Sequence, residues 1–364
     1  MQLLIKSVSF FLLTAILFSG CSKKESEPFS DLLGPDSVTE TQNMDAGLLR
    51  EMLLKIEDGE FGEIHSVLVV RNGDIVVEEY FRGWQSTHLH PLYSVTKSVT
   101  SILVGIAIDR GYLSGVDQKI MPLFLNEYAS FENYDSLKAS ITLQNILTMA
   151  HGLQWNWQDE LNFAPRADWI KYTLDLPMID TPGTRFNYSS ATTMLLSVMI
   201  QTNTGKMADQ FAGEALFQPI NIQRWSWGSY SRVGYSNYSS TAGGLSLRAR
   251  DLANIGILML EKGKRGDTQV VSQAWVEEST RTQIIAGQTT EYGYKWWRLS
   301  DANSVVQDLR VNDIFFGWGA AGQFLFVIPH LNMVVVSNAE NFENTGDQFF
   351  TVLRDYIFAS VRDK

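Results

Sequence analysis

Only one cysteine, Cys21, occurs in 364 residues, so no disulfide can form within the chain. Positive charge is scarce as well: 29 Lys and Arg face 40 Asp and Glu, giving a formal net charge of −11 and a pI near 5.0. With no basic cluster, nucleic acid is not an expected partner, and the acidity speaks mainly for solubility. Beyond the first twenty residues, no apolar run reaches the roughly 18 residues needed to cross a bilayer. H-E-x-x-H does not occur, and His88 and His90 lack a nearby carboxylate or third histidine, so neither a metal nor another cofactor is expected. G-x-S-x-G is also missing, which removes the serine elbow built on that turn, and His151 and His330 stand isolated. There is no internal repeat and no low-complexity tract.

What is present begins with a leader. MQLLIKSVSFFLLTAILFSG has one cation, Lys6, then an apolar stretch from Ser9 to Phe18 and small residues before Cys21, the layout of a secretory signal over residues 1–20. LFSGC resembles a bacterial lipobox, with Phe18 an uncommon residue at the third position before the cysteine. A lone thiol at that place in an exported chain predicts lipidation of Cys21 and anchoring to a bacterial membrane on its periplasmic or cell-surface side. The polar, aperiodic residues 21–42 read as a flexible tether, and residues 43–364 as the folded domain.

Within that domain, Leu48, Leu49, Met52, Leu53 and Ile56 share one helical face, so an amphipathic helix starts near Met44. Two β-branched runs flank Asn72-Gly73, a pair suited to the positive φ angles of a tight hairpin. Ser94 to Asp109 is apolar on most faces and stops at Gly111, which predicts a central helix. Residues of about 116–244 read as short helices and loops, in which Trp155, Trp157, Tyr235 and Tyr238 are candidates to line a cleft. Strand character returns in YGYKWWRL, QFLFVIP and NMVVVSNA before a closing helix. The pattern predicts an α/β (α+β) domain with one antiparallel sheet assembled from both termini, flanked by helices, and an inserted, mostly helical subdomain.

The chemistry centres on YSVTKSVTS, residues 93 to 101. Ser94 and Lys97 are three apart, so on a helix their side chains rise from the same face and can hydrogen-bond. A serine is a weak nucleophile until a base takes its proton, and a lysine in apolar surroundings can lose its charge because burial lowers its pKa. Ser98 and Ser101 have no lysine three residues on. The alternative is that Ser94 merely caps the helix while Lys97 points into water.

YSVTKSVTSILVGIAIDRGYL resembles the S-x-x-K helix of the serine β-lactamase and penicillin-recognising superfamily, particularly class C β-lactamases, related esterases and nylon-oligomer hydrolases. ITLQNILTMAHGLQW, TPGTRFNYSSATTMLLSVMI and GWGAAGQFLFVIPHLNMVVV are similar to later segments of that family, in order, over residues of about 60–345. The resemblance implies a β-lactamase/transpeptidase-like fold and catalysis by Ser94, Lys97 and Tyr188. The family's Y-x-N falls on Tyr188, Ser189 and Ser190, so Ser190 replaces the asparagine. Its K-T-G should fall in Gly317 to Ala320, yet no Lys or Arg occurs from Val311 to Leu353. The implied oxyanion hole is the backbone N–H of Ser94 and of Ala320. Ser190, Trp318 and Gly319 would contact substrate, with Trp318 as an apolar wall. A phenol near a lysine cation has its ionised form favoured, so a tyrosinate at Tyr188 is the expected proton-transfer partner.

These readings converge on an exported, membrane-anchored serine hydrolase that cleaves ester or amide bonds of small molecules or short peptides through an acyl-enzyme. A D-amino-acid peptidase or β-lactamase acting on cell-wall-related substrates is the alternative, and a non-catalytic binding lipoprotein of the same fold is the third reading. Substrate and oligomeric state are open at this point.

Overall fold

The computed structural model describes residues 36–161, 168–230, 237–307, 309, 311–343 and 348–363. Cys21 and the leader lie outside them. The end of the expected tether is structured: Asp36–Thr41 form a short helix, with Thr39 buried and Gln42 donating a hydrogen bond to Asp74. The folded unit therefore starts before residue 43, because a polar hexamer can dock by its backbone and a few side chains without an apolar stripe.

Asp45 then accepts from the Leu48 N–H and opens the helix Ala46–Glu57, which buries Leu49, Met52, Leu53 and Ile56. Asn72 and Gly73 adopt φ of 50° and 87° between the strands Ile64–Arg71 and Asp74–Tyr80, the left-handed pair that a two-residue hairpin requires. These strands edge an eight-stranded sheet. In spatial order it runs Ile284–Ile285, Thr290–Tyr292, Trp297–Leu299, Phe315–Gly319, Gln323–Ile328, Met333–Ala339, Ile64–Arg71 and Asp74–Tyr80, every pair antiparallel. The last strand thus pairs with the first of the chain, Val67 opposite Ser337 and Val69 opposite Val335.

Strand alternation divides the core in two. Val67, Val69, Phe324, Phe326, Met333 and Val335 face the N- and C-terminal helices, whereas Leu68, Val70, Leu325, Val327, Val334 and Val336 face the helical subdomain. Both faces are covered, which is why the first strand is buried at all eight positions. On the second face, Gly256 of the helix Ala249–Leu260 lies against Val334 and Leu325, where a Cβ would come within 2.5 Å of a methyl group. The helix Val95–Asp109 is buried from Val95 through Ala107 and packs against the helix Ser190–Thr204 and the strand Phe315–Gly319.

The middle of the chain is mainly short helices. It also contributes Ser226–Trp227 to a three-stranded ribbon with Leu245–Leu247 and His90–Pro91. Strands of two and three residues carry no alternation a sequence could display. This ribbon brings residues 240–245 beside the start of the helix Val95–Asp109. No helix among the described residues is long and apolar enough to cross a membrane.

Candidate active site

Ser94 is the N-cap residue of its helix, but its side chain makes no capping bond; at φ −70° and ψ −8° its backbone is already helical. Tyr93 before it has φ of 45°, a left-handed conformation that costs a non-glycine residue about 1–3 kcal/mol. Gly319 presses on the same turn: a Cβ there would lie 2.3 Å from the Leu92 carbonyl oxygen. Both features constrain the turn that carries Ser94, which is half-buried.

Lys97, only 1% exposed, sends its Nζ to Ser94 Oγ at 2.8 Å, Ser190 Oγ at 2.9 Å and the Ala242 carbonyl oxygen at 2.7 Å. A lysine pointing into water is excluded by that burial. Loss of hydration pushes Lys97 down to about 8, the Glu160 carboxylate acting in the opposite direction. The ammonium lies over the Tyr188 ring, 4.9 Å from its centroid, and Trp297 stacks on the same ring.

Tyr188 differs from expectation. Burial raises its phenol pKa, Glu160 adds to the rise, and a hydrogen bond with Ser94 only partly opposes them. The lysine meets the ring face, so desolvation outweighs any stabilisation of a phenolate, and Tyr188 is a neutral phenol at neutral pH.

The carboxylate behind these effects escaped sequence reasoning. Glu160 sits on the short helix Trp157–Leu161 and accepts a very short hydrogen bond from Ser190 Oγ, with the Ser190 N–H at 2.9 Å and Trp155 Nε1 at 3.1 Å. Nothing distinguishes it in WNWQDEL from Asp159 beside it. A second buried lysine, Lys295, was missed for the same reason. It has φ of 64°, its Nζ contacts Thr193 Oγ1 at 3.0 Å and Met149 Sδ at 3.1 Å, and burial, with Lys97 nearby, holds it far below the ordinary lysine range.

A cavity of about 350 Å3 opens over Ser94, lined among others by Tyr93, Ser190, Tyr230, Ser240, Gly243 and Ala320. Ser94 and Ala320, the two backbone positions named for an oxyanion hole, thus both line this cavity. Trp318 and Gly319 are not lining residues. Alternation along Phe315–Gly319 turns Trp318 to the opposite face, where it packs on Trp297, Phe324 and Phe350, while Gly317 meets Val95 and Ser98. Trp318 reaches the site only through Trp297, and Gly319 serves close packing on Leu92. Of the cleft candidates, Trp155 and Tyr238 are buried, Trp157 is exposed and Tyr235 lies outside the described residues. Ser98 donates to the Lys295 carbonyl at 2.7 Å.

The histidines have structural partners. His151 Nε2 meets the Asn187 carbonyl at 3.0 Å, His65 and His90 meet each other, and His330 meets Asp313. Among the described residues no group of His, Cys, Asp or Glu could hold a metal ion.

Comparison with known proteins gives a consistent picture. The Beta-lactamase family model matches residues 65–350. A 6-aminohexanoate-dimer hydrolase of Paenarthrobacter ureafaciens is 25% identical over 302 residues, 74% of this chain and 70% of that protein. Among solved structures, EstCE1, a hydrolase with promiscuous acyltransferase activity, superposes with a TM-score of 0.69 at 16% identity, covering 88% of this chain and 100% of that one. A penicillin binding protein from Bacillus halodurans gives 0.64 at 16% identity, over 83% and 98% of the two chains. The two structural likenesses are of fold.

Proposed function

The chain belongs to the Beta-lactamase family and is a serine hydrolase for ester or amide substrates; from that premise we propose that Ser94 is its nucleophile and that turnover passes through an acyl-enzyme. The observation that carries this reading is the buried Lys97 amine 2.8 Å from a Ser94 hydroxyl that caps nothing. Neutral Lys97 takes the Ser94 proton as Oγ bonds to the substrate carbonyl carbon. The oxyanion faces the backbone N–H groups of Ser94 and Ala320. As the tetrahedral adduct collapses, the bond to the leaving alcohol or amine breaks, and that group leaves with the proton that Lys97 took from Ser94, the neutral Tyr188 phenol lying beside Ser94 as a hydrogen-bonding partner. Water then attacks the ester, Lys97 again serving as base, and releases the acid and free Ser94.

Uncharged acyl groups in small esters, amides or short peptides fit the site best. No Lys or Arg occurs from Val311 to Leu353 to meet a substrate carboxylate, and Lys295 is engaged with Thr193 and Met149. The anionic substrates of a β-lactamase or D-amino-acid peptidase lack a cationic partner there. Export and membrane attachment through Cys21 form part of the proposal and rest on the leader sequence. Labelling with a lipid precursor, compared with Cys21→Ala, tests the anchor.

The nucleophile is tested by intact-mass and peptide-level detection of fluorophosphonate labelling on the full-length protein in detergent. Labelling confined to Ser94, and lost in Ser94→Ala and Lys97→Ala, is expected. A folded wild type that takes no label would sink the acyl-enzyme and leave a binding lipoprotein of the same fold.

A further inference from the structure

Lys97 has three hydrogen-bonding neighbours, and they are not alike. The Ala242 carbonyl can only accept, whereas Ser94 and Ser190 are hydroxyls that can accept or donate. An ammonium satisfies all three with its three N–H groups. The neutral amine, the form able to act as base, has two N–H groups and one lone pair. One N–H goes to Ala242, so the two hydroxyls compete for the lone pair. If Ser190 donates into it, Lys97 turns an N–H toward Ser94 and cannot take its proton.

Glu160 removes that ambiguity. Its carboxylate has acceptors only: Oε1 takes the Ser190 hydroxyl proton, and Oε2 takes the Ser190 N–H and the Trp155 indole N–H. With its one proton held by Glu160, the Ser190 oxygen can only accept from Lys97. The carboxylate is itself fixed by a short capped turn, in which Asn156 Oδ1 accepts the N–H groups of Gln158 at 2.8 Å and Asp159 at 3.1 Å. We propose that Glu160 is a positioning residue that, by holding the Ser190 proton, aims the lone pair of neutral Lys97 at Ser94. The proposal rests on the acyl-enzyme reading above and explains how a serine serves where the resembling family has asparagine: a carboxamide oxygen toward the lysine is acceptor-only by nature, and a serine becomes so when a carboxylate takes its proton.

The test is a double-mutant cycle on the full-length protein, read from ester hydrolysis on the high-pH plateau, where protonation of Lys97 no longer limits the rate. The charged or titratable groups near Lys97 are Glu160, Lys295 and Tyr188, so lower pH would mix charge effects with geometry. Glu160→Gln keeps the shape but has one acceptor oxygen for three donors. It is expected to lower kcat by about tenfold or more with little change in KM. In the Ser190→Ala background, which has no competing hydroxyl, the same change should cost less than about twofold. Equal losses in both backgrounds, or no loss in either, would overturn the role of Glu160. Should Glu160→Gln fail to fold by circular dichroism, Ser190→Asn decides: its amide can accept from Lys97 and donate to Glu160, so it should exceed Ser190→Ala in kcat, and the reverse order overturns the proposal. Fluorophosphonate labelling of wild type separates the two levels. An unlabelled Ser94 removes the acyl-enzyme itself, whereas a labelled Ser94 with equal losses removes only Glu160.

Discussion

Lys97 owes its usefulness to an environment that half-defeats its charge. With its pKa brought to about 8, roughly a tenth of it is the neutral base at pH 7 and most of it is by pH 9. The rate of Ser94 acylation should therefore rise about tenfold between pH 7 and pH 9 and then level, and a stopped-flow profile that is flat across this range would exclude Lys97 as the base. Glycine at 319 is equally constrained, by space. Gly319→Ala would drive a methyl group into the Leu92 carbonyl, two residues before Ser94. A fall in kcat of an order of magnitude is expected alongside lost stability, with labelling of Ser94 slowed in proportion. The pairing of Ser94 with Lys97 was legible in the sequence because a three-residue spacing on a helix is a local fact. The state of Tyr188 was not, since the sequence shows that a lysine is near but not that it meets the ring face in a dry site.

Elements here are joined by buried polar groups as much as by apolar ones. Lys138, fully buried, donates to the carbonyls of Glu132, Leu174 and Leu176 at 3.0, 2.7 and 2.8 Å, tying the helix Ser136–Ser140 to the end of Trp169–Asp175. Lys138→Met leaves three carbonyls unpaired and should cost about 3 kcal/mol or more, read as a lower urea midpoint.

The ribbon strand His90–Pro91 carries a different device. The Pro91 carbonyl can only accept, so His90 Nδ1 is the protonated nitrogen and His90 Nε2 accepts from His65 Nδ1 at 2.9 Å. Trp84 packs on both rings. Burial lowers His90 to about 4 against an ordinary 6.5, so the unfolded chain binds the proton first. The stability this contributes is complete above pH 6.5 and is lost as pH falls toward 4, by up to about 3 kcal/mol. Thermal midpoints at pH 7.5 and pH 4.5 should show a smaller acid loss in His90→Gln than in wild type. The Asn72-Gly73 hairpin was readable because two residues specify it, whereas this ribbon exists only through pairing across more than 150 positions of chain.

At the scale of the molecule, the sheet closes by pairing Ile64–Arg71 with Met333–Ala339, and Arg71 locks the seam. Its guanidinium donates to the Gln42 carbonyl at 2.7 Å and to Asp363 at 2.6 Å, with the Asn43 and Leu331 carbonyls at 3.4 Å. Nearby, the Asp45 N–H donates to the Ser360 carbonyl, so both ends of the fold meet at one corner. Arg71→Met should lower stability by about 2–3 kcal/mol and expose the segment before residue 46 to proteases first. Unchanged cleavage there would show that the latch does not hold the N-terminal segment.

The sequence by itself determined the amphipathic first helix, the hairpin, the gathering of strands at both ends, and the Ser94–Lys97 pair, since each is written in spacings of a few residues. The tertiary structure alone decided what surrounds that pair. Ala242 meets Lys97 across 145 positions and Ser190 across 93, and Glu160 meets Ser190 across 30. It also decided that Trp318 turns away from the cavity and that Tyr188 keeps its proton. Burial, hydrogen-bond direction and the sign of a pKa shift arise from neighbours that only packing brings together, which is why a lysine legible as near a serine acquired its burial, its lowered pKa and its three hydrogen-bonding neighbours only in the folded chain.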